Sequence, residues 1–135
     1  MTEKIFENFK LPKEWFESGD EDLKAAEILF NAEGPNRIIC FHCQQAVEKY
    51  PKGFLLLNTD KYPKVHDLLE LITLCQEINP QFINIKESSV ILTPYYIESR
   101  YIAMTSETYT KQDSEKAMDI SLSIITFIKE RMKTK

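Results

Sequence analysis

The residues best suited to chemistry lie in one stretch, residues 41–57, where polar side chains recur at regular intervals. Read as a helix of about 100° per residue, the stretch places four of them within an arc of roughly 80°. These four, the polar row, are His42, Gln45, Lys49 and Lys52. An imidazole, an amide and two ammonium groups on one side of a helix are suited to contact a phosphorylated ligand.

The same stretch carries an apolar arc that is wide enough to face a core. We expect seven of its residues to be buried: Ile39, Cys43, Ala46, Val47, Tyr50, Phe54 and Leu57. Three further apolar residues border the polar row, namely Ile38, Phe41 and Leu56. Large apolar neighbours favour a contact surface or a cleft. A solvated face with scattered apolar neighbours is the alternative interpretation.

Two cysteines, Cys40 and Cys43, flank His42 and raise the question of a metal site or a catalytic thiol. A structural zinc site needs four ligands, and this pair supplies half of them. The remaining candidates, His66 and Cys75, do not form a second compact pair. Cys43 also points about 100° away from His42, which removes the aligned base that a nucleophile needs. We therefore expect buried core thiols and no metal.

Length and composition predict one globular domain. The chain has 135 residues, 43% of them hydrophobic and 28% charged, and its net charge is −4. A negative net charge argues against bulk electrostatic capture of DNA but leaves room for a local basic groove. No apolar run approaches the ~18 residues that a membrane span needs, and the charged N-terminus does not resemble a signal peptide. We expect a cytoplasmic protein with no membrane association and no cofactor.

Helical periodicity dominates the chain and predicts an all-α fold. The helices are expected at about 12–31, 37–57, 65–78, 81–103 and 113–132, with a polar, mobile segment at 104–112. Four or five long helices with short links describe an antiparallel up-and-down bundle. We divide the chain into an N-terminal extension at 1–11, a helical domain at 12–132 and a tail at 133–135. Pro51 and Pro94 fall inside predicted helices and should kink them.

The run FHCQQAVEK at 41–49, with Lys52 three residues later, resembles the signature of the HEPN family (higher eukaryotes and prokaryotes nucleotide-binding domain). Three shorter matches follow the family's order and spacing: Trp15 with Asp22, Leu23 and Ala26; His66, Asp67 and Leu68 with Leu71; and Tyr96 with Arg100 and Tyr101. The resemblance covers roughly residues 12–131. The chain departs from the family at Pro51, where an aliphatic residue is usual.

The resemblance implies a HEPN-like bundle, a homodimer, and a nucleotide-binding or regulatory partner of a small nucleotidyltransferase in a toxin–antitoxin-like pair. The residues with phosphate-binding chemistry, for a nucleotide or RNA, are His42, Gln45, Lys49, Lys52, His66 and Arg100, and Tyr96 or Tyr101 could stack on a base. Two structural alternatives stay open: His66 as a residue that bonds a free helix-start group, and Lys49 in an ion pair. A ligand-free helical interaction module is a third interpretation of the chain.

A metal-independent RNase toxin is the enzymatic alternative. Arg37 to His42 spells R-x4-H, which resembles the RNase motif of many toxin members of the superfamily. In such a pair the histidine abstracts a 2′-hydroxyl proton while the arginine stabilises the charge on phosphorus. The better positional match is Arg100, and Met, Thr and Ser rather than His stand at 104–106. We therefore expect that the nuclease pair is absent.

Overall fold

The computed structural model describes the backbone of residues 9–98 and 109–133, with side chains for 9–95 and 109–132. These residues form five helices and no β-strand, which confirms the all-α prediction. The helices are α1 (Pro12–Asn31), α2 (Asn36–Thr59), α3 (Leu68–Ile78), α4 (Ile83–Glu98) and α5 (Lys111–Lys133). A 3-10 turn, Pro80–Phe82, joins α3 to α4. Within the described residues, no helix combines the length and apolarity that would let it cross a membrane.

Helix α2 is the centre of the bundle and packs against all four of the other helices. Six of the seven residues predicted to be buried on it are buried, from Ile39 to Phe54. Leu57 is the exception, since it is 46% exposed. Gly53 lies against Phe16, which is one turn after the start of α1. Leu57 is one turn further along α2, where the antiparallel α1 reaches its N-terminal end and no longer covers it.

Two glycines let α1 and α2 approach closely. A Cβ atom on Gly19 of α1 would lie 2.9 Å from the Tyr50 ring, and one on Gly53 of α2 would lie 2.5 Å from the Phe16 ring. The Phe16 and Tyr50 rings themselves contact each other, with centroids 5.1 Å apart. Each helix therefore places an aromatic ring over the other helix's glycine, which fixes the register of the pair.

The predicted ends of α1 and α2 are close to those observed, and the starts of the later helices differ for local reasons. Helix α3 begins at Leu68 rather than 65, because the Asp67 side chain caps it by accepting the N–H of Leu69 at 3.0 Å. Residues 61–67 are not helical. The described part of α4 begins at Ile83 instead of 81, after the 3-10 turn.

The start of α5 is two residues earlier than predicted. Asp113 was expected to open the helix, but it occupies the third helical position. Its carboxylate accepts the N–H of Thr110 at 2.9 Å, while the Thr110 hydroxyl accepts the N–H of Asp113 at 3.1 Å. This reciprocal pair is a capping box. Of the segment predicted to be mobile, residues 104–108 lie outside the described residues, whereas Tyr109 is buried.

Both prolines predicted to lie within helices do so. Pro51 is inside α2 and Pro94 is inside α4. Helix α2 continues from Asn36 to Thr59 through Pro51, so the interruption of its hydrogen bonds does not end it. A bend at Pro51 stays a prediction, to be measured from the axis directions on either side of that residue.

Candidate functional site

One carboxylate, that of Asp22 on α1, joins two members of the polar row. Its Oδ1 atom lies 2.9 Å from Nδ1 of His42, and its Oδ2 atom accepts a hydrogen bond from Nζ of Lys49 at 2.6 Å. His42 and Lys49 are two turns apart on α2, so their side chains converge on Asp22 from either side. The three side chains are 27%, 17% and 13% exposed for His42, Lys49 and Asp22. We call this arrangement the Asp22 cluster.

The Asp22 cluster orients the imidazole ring. When Nδ1 donates its hydrogen to a carboxylate, the neutral ring carries its lone pair on Nε2. Nε2 of His42 has no hydrogen-bond partner among the described residues, and the ring is partly exposed. The site thus presents a hydrogen-bond acceptor, or a donor once protonated, beside the ammonium of Lys49.

A second carboxylate, that of Glu48, holds the other cation of the polar row. Its Oε2 atom accepts a hydrogen bond from Nζ of Lys52 at 2.9 Å and lies 2.7 Å from Nδ1 of His66. The side chains of Glu48 and Lys52 are 5% and 1% exposed. Lys52 is therefore a buried residue and not part of an exposed row. We call this arrangement the Glu48 cluster.

Two glutamines extend the Glu48 cluster along α2. Nε2 of Gln44 donates to Oε1 of Glu48 at 3.1 Å, and Nε2 of Gln45 donates to Oε1 of Gln44 at 2.7 Å. Gln44 is fully buried. Gln45 thus supports the buried carboxylate through Gln44, in addition to its place on the polar row.

Opposing effects act on the pKa of Glu48. Burial raises the pKa of this carboxyl, but the hydrogen bond from His66 and the charge of Lys52 lower it more, so the net shift is downward. The carboxylate is therefore the stable form at neutral pH. The Lys52 ammonium also lies 5.4 Å from the centroid of the Trp15 ring, which stabilises a buried cation further.

Sequence reasoning missed Asp22, Gln44 and Glu48 as members of these clusters. The i, i+4 spacings of Gln44 with Glu48 and of Glu48 with Lys52 were the available signal. Asp22 is part of the family's first-helix match, but no spacing along α2 indicates its contacts with His42 and Lys49, because only the tertiary fold brings it to that helix.

The predicted arginines do not join either cluster among the described residues. Arg37 and His42 are five residues apart, about 140° around α2, and Nη1 of Arg37 is buried with no hydrogen-bond partner in the described part of the chain. Arg100 and Tyr101 lie outside the described residues, as does the side chain of Tyr96.

All three cysteines are buried, as predicted for core thiols. Burial raises the pKa of Cys40 to about 12 and that of Cys43 to about 11. Thiols with such pKa values are protonated at neutral pH and make poor nucleophiles. No group of three or more metal-ligating side chains occurs among residues 9–95 and 109–132.

The fold and these two clusters define an all-α bundle whose central helix carries paired cations against carboxylates. The HEPN domain model matches residues 12–131, and the chain belongs to this family. Among solved structures, TT1696 from Thermus thermophilus is similar, with a TM-score of 0.78 and 26% identity over 90% of this chain and 98% of that one. ST0689, an archaeal HEPN homologue, shares the fold, with a TM-score of 0.75 and 24% identity over 91% and 98%. No curated protein matches the chain.

Proposed function

We propose that this HEPN-domain protein binds the phosphate of a nucleotide or of RNA at the Asp22 cluster. We further propose that it acts as the regulatory partner of a small nucleotidyltransferase in a toxin–antitoxin-like pair. The observation that carries the binding proposal is the bridging carboxylate of Asp22, which holds His42 and Lys49 side by side while both remain partly exposed. The regulatory role is drawn from the family resemblance.

The chemistry of the cluster suits an anionic ligand. The Lys49 ammonium has three donors, and one of them is directed to Asp22, so two can meet phosphate oxygens. Nε2 of His42 can accept from a ribose hydroxyl when neutral or donate to phosphate when protonated. Arg100, in our proposal, adds a planar fork for the phosphate. Lys52 and His66 support the site from the Glu48 cluster.

Calorimetry with a panel of nucleotides tests the binding proposal. We expect the affinity to come mainly from charge and to fall with added salt, because mobile ions screen exposed charged contacts. Lys49→Ala combined with Arg100→Ala should weaken binding far more than Gln45→Ala, since charge-assisted hydrogen bonds are roughly twice as strong as neutral ones. Thermal unfolding of each variant separates lost binding from lost folding. Failure of every nucleotide to bind would leave the ligand-free interaction module.

An RNA-cleavage assay on the same protein distinguishes nucleotide binding from RNase activity. A histidine whose Nδ1 is bonded to a carboxylate, as in His42, is oriented as a general base. This geometry is the reason for testing the RNase alternative. We expect RNA to remain uncut, because no histidine follows Arg100 at 104–106. RNA cleavage that disappears when both Arg37 and His42 are mutated would overturn the binding proposal in favour of a metal-independent RNase.

The regulatory role has its own test. Coexpression with a small nucleotidyltransferase encoded next to this chain should yield a complex that elutes as one species in size-exclusion chromatography. The HEPN chain should also alter the enzyme's nucleotidyl transfer rate. Separate elution of the two proteins, with an unchanged rate, would contradict the regulatory role and leave nucleotide binding unaffected.

A further inference from the structure

Two neighbouring surface cavities lie beside the connection between α2 and α3. One cavity, of about 350 Å³, has a largely apolar lining that includes Leu55, Leu74 and Ile78, together with one carboxylate, that of Glu77. The other, of about 480 Å³, is lined by three lysines, Lys10, Lys61 and Lys64. Lys61 and Tyr62 line both cavities. The two cavities therefore adjoin at these residues, and we call them together the basic–apolar groove.

The lysines of the groove differ from the cations of the polar row. Asp22 pairs with His42 and Lys49, and Glu48 pairs with Lys52. In the described part of the chain, by contrast, no carboxylate lies within 4.0 Å of the ammonium groups that line the groove. The lysine-lined cavity contains a single carboxylate, that of Asp60. On a chain of net charge −4, this makes the lysine-lined cavity a local positive surface, while the carboxylate of Glu77 belongs to the other cavity.

The aromatic wall of the groove is held in place from behind. The rings of Phe9 and Tyr62 both contact Trp15 edge to face, with centroids 4.8 Å and 4.9 Å away. Trp15 is 1% exposed and lies against the buried Lys52. The connection is also fixed, because the Thr59 hydroxyl donates to the carbonyl of Lys61 at 2.8 Å. The groove is thus largely formed before any ligand arrives, which lowers the ordering cost of binding.

We propose that the basic–apolar groove binds an acidic segment of a partner protein, with an aliphatic or aromatic side chain in the aliphatic cavity and carboxylates at the lysines. Charge complementarity selects the acidic side chains. The aliphatic cavity selects a protein over RNA, because a nucleic acid has no aliphatic side chain to bury against Leu74 and Ile78. Because the charged and apolar cavities adjoin at Lys61 and Tyr62, they suit a peptide in which acidic and apolar residues are close together in sequence.

Selection from a displayed library of random peptides tests the proposal on the full-length chain. We expect the enriched peptides to contain Asp or Glu next to Leu, Ile, Met or Phe. Binding of a synthetic enriched peptide, measured by fluorescence anisotropy, should weaken roughly tenfold or more in the Lys61→Glu/Lys64→Glu variant and should fall with added salt. The matched control is Lys24→Glu/Lys116→Glu, which changes the net charge equally, away from the groove, and should bind as the wild type does.

A second variant probes the aliphatic half. Ile78 is 37% exposed at the end of α3, so Ile78→Glu should preserve the fold, checked by circular dichroism, while weakening peptide binding severalfold. Parallel titrations with a single-stranded RNA oligonucleotide and with dodecanoate distinguish the other ligand classes. RNA binding that is sensitive to the lysine variant but not to Ile78→Glu would overturn the proposal, and so would saturable binding of dodecanoate.

Two further outcomes would also count against an acidic partner segment. The first is that no enriched peptide distinguishes the wild type from the Lys61→Glu/Lys64→Glu variant. The second is that the wild type is a dimer by light scattering that Ile78→Glu dissociates, which would make a second copy of the chain the occupant of the groove.

Discussion

At the scale of single residues, the buried carboxylate of Glu48 depends on its bonds to Lys52 and His66. Glu48 and Lys52 are both nearly inaccessible, so each has lost its hydration shell and depends on the other. His66 adds a second hydrogen-bonding partner from outside α2, and Gln44 donates to the other carboxylate oxygen. Removing one member leaves a charge buried without its counterpart, whereas removing both charges together does not.

We expect Glu48→Gln to lower the free energy of unfolding by about 3–5 kcal/mol, because the Lys52 ammonium would remain buried without a counter-charge. Urea unfolding followed by circular dichroism measures the change. Adding Lys52→Met should recover part of the loss by removing the stranded cation. The control is Glu27→Gln, which breaks an exposed ion pair with Lys24 and should cost no more than about 1 kcal/mol. Equal losses for the two glutamate variants would contradict the buried-pair interpretation.

Glu48 also makes stability depend on pH. Its pKa in the folded protein is below the usual value of 4.5, so under acid the unfolded chain takes up this proton before the folded protein does. Stability from Glu48 is therefore complete above about pH 4.5 and is lost as the pH falls through the lowered pKa. Urea unfolding between pH 3 and 7 should show a shallower acid decline in Glu48→Gln than in the wild type. Parallel declines would assign the acid sensitivity to other groups.

Residue types and spacing predicted which side chains of α2 carry the polar chemistry but not which of them are exposed. The arc that contains His42 and Lys49 faces α1, where Asp22 meets both residues. The same arc places Lys52 beneath Trp15 and beside His66. Helical periodicity gives the direction in which each side chain points from its own helix. Which residues of other helices lie in that direction depends on tertiary packing, which the pattern of one helix does not contain.

At the scale of elements, the extents of α1 and α2 could be predicted, whereas the starts of the later helices could not. The 3.6-residue pattern extends over many residues, and it located α1 and α2 almost to their ends. A start depends on one or two hydrogen bonds, such as the capping box of Thr110 with Asp113 and the cap of Asp67 on Leu69. Several residues near each start could form such a cap, so the pattern alone does not choose among them.

The glycine contacts between α1 and α2 make a prediction at the same scale. Gly53→Ala would place a Cβ atom 2.5 Å from the Phe16 ring. Overpacking of this kind typically costs about 1–3 kcal/mol, partly offset by the better helix propensity of alanine, about 1 kcal/mol. We expect a net loss of unfolding free energy in urea, relieved by adding Phe16→Leu. Ser18→Ala, on α1, should change stability by no more than about 0.5 kcal/mol. A stabilised Gly53→Ala variant would show that Phe16 moves aside freely.

At the scale of the whole molecule, we propose that the protein is a homodimer that uses the α2 surface at Ile38 and Phe41. Both residues are only partly buried within the single chain. Burying each of them would contribute roughly 1.5–3 kcal/mol, and a two-fold axis doubles that gain. Light scattering at micromolar concentration should report a dimer that Phe41→Glu shifts toward monomer. The control is Leu122→Glu, at an exposed position on α5, which should stay dimeric. A wild-type monomer at all accessible concentrations refutes the proposal.

The burial of all three cysteines has a consequence for how motion in the bundle can be timed. Cys40 and Cys43 lie on α2 and Cys75 on α3, each fully inaccessible and with a raised pKa. Iodoacetamide therefore reaches a thiol only when its helix opens, and at high reagent concentration the alkylation rate approaches the opening rate. We expect mass spectrometry to find Cys75 alkylated first, because α3 has only 11 residues. Identical rates at all three thiols would mean that α2 and α3 open as a single unit.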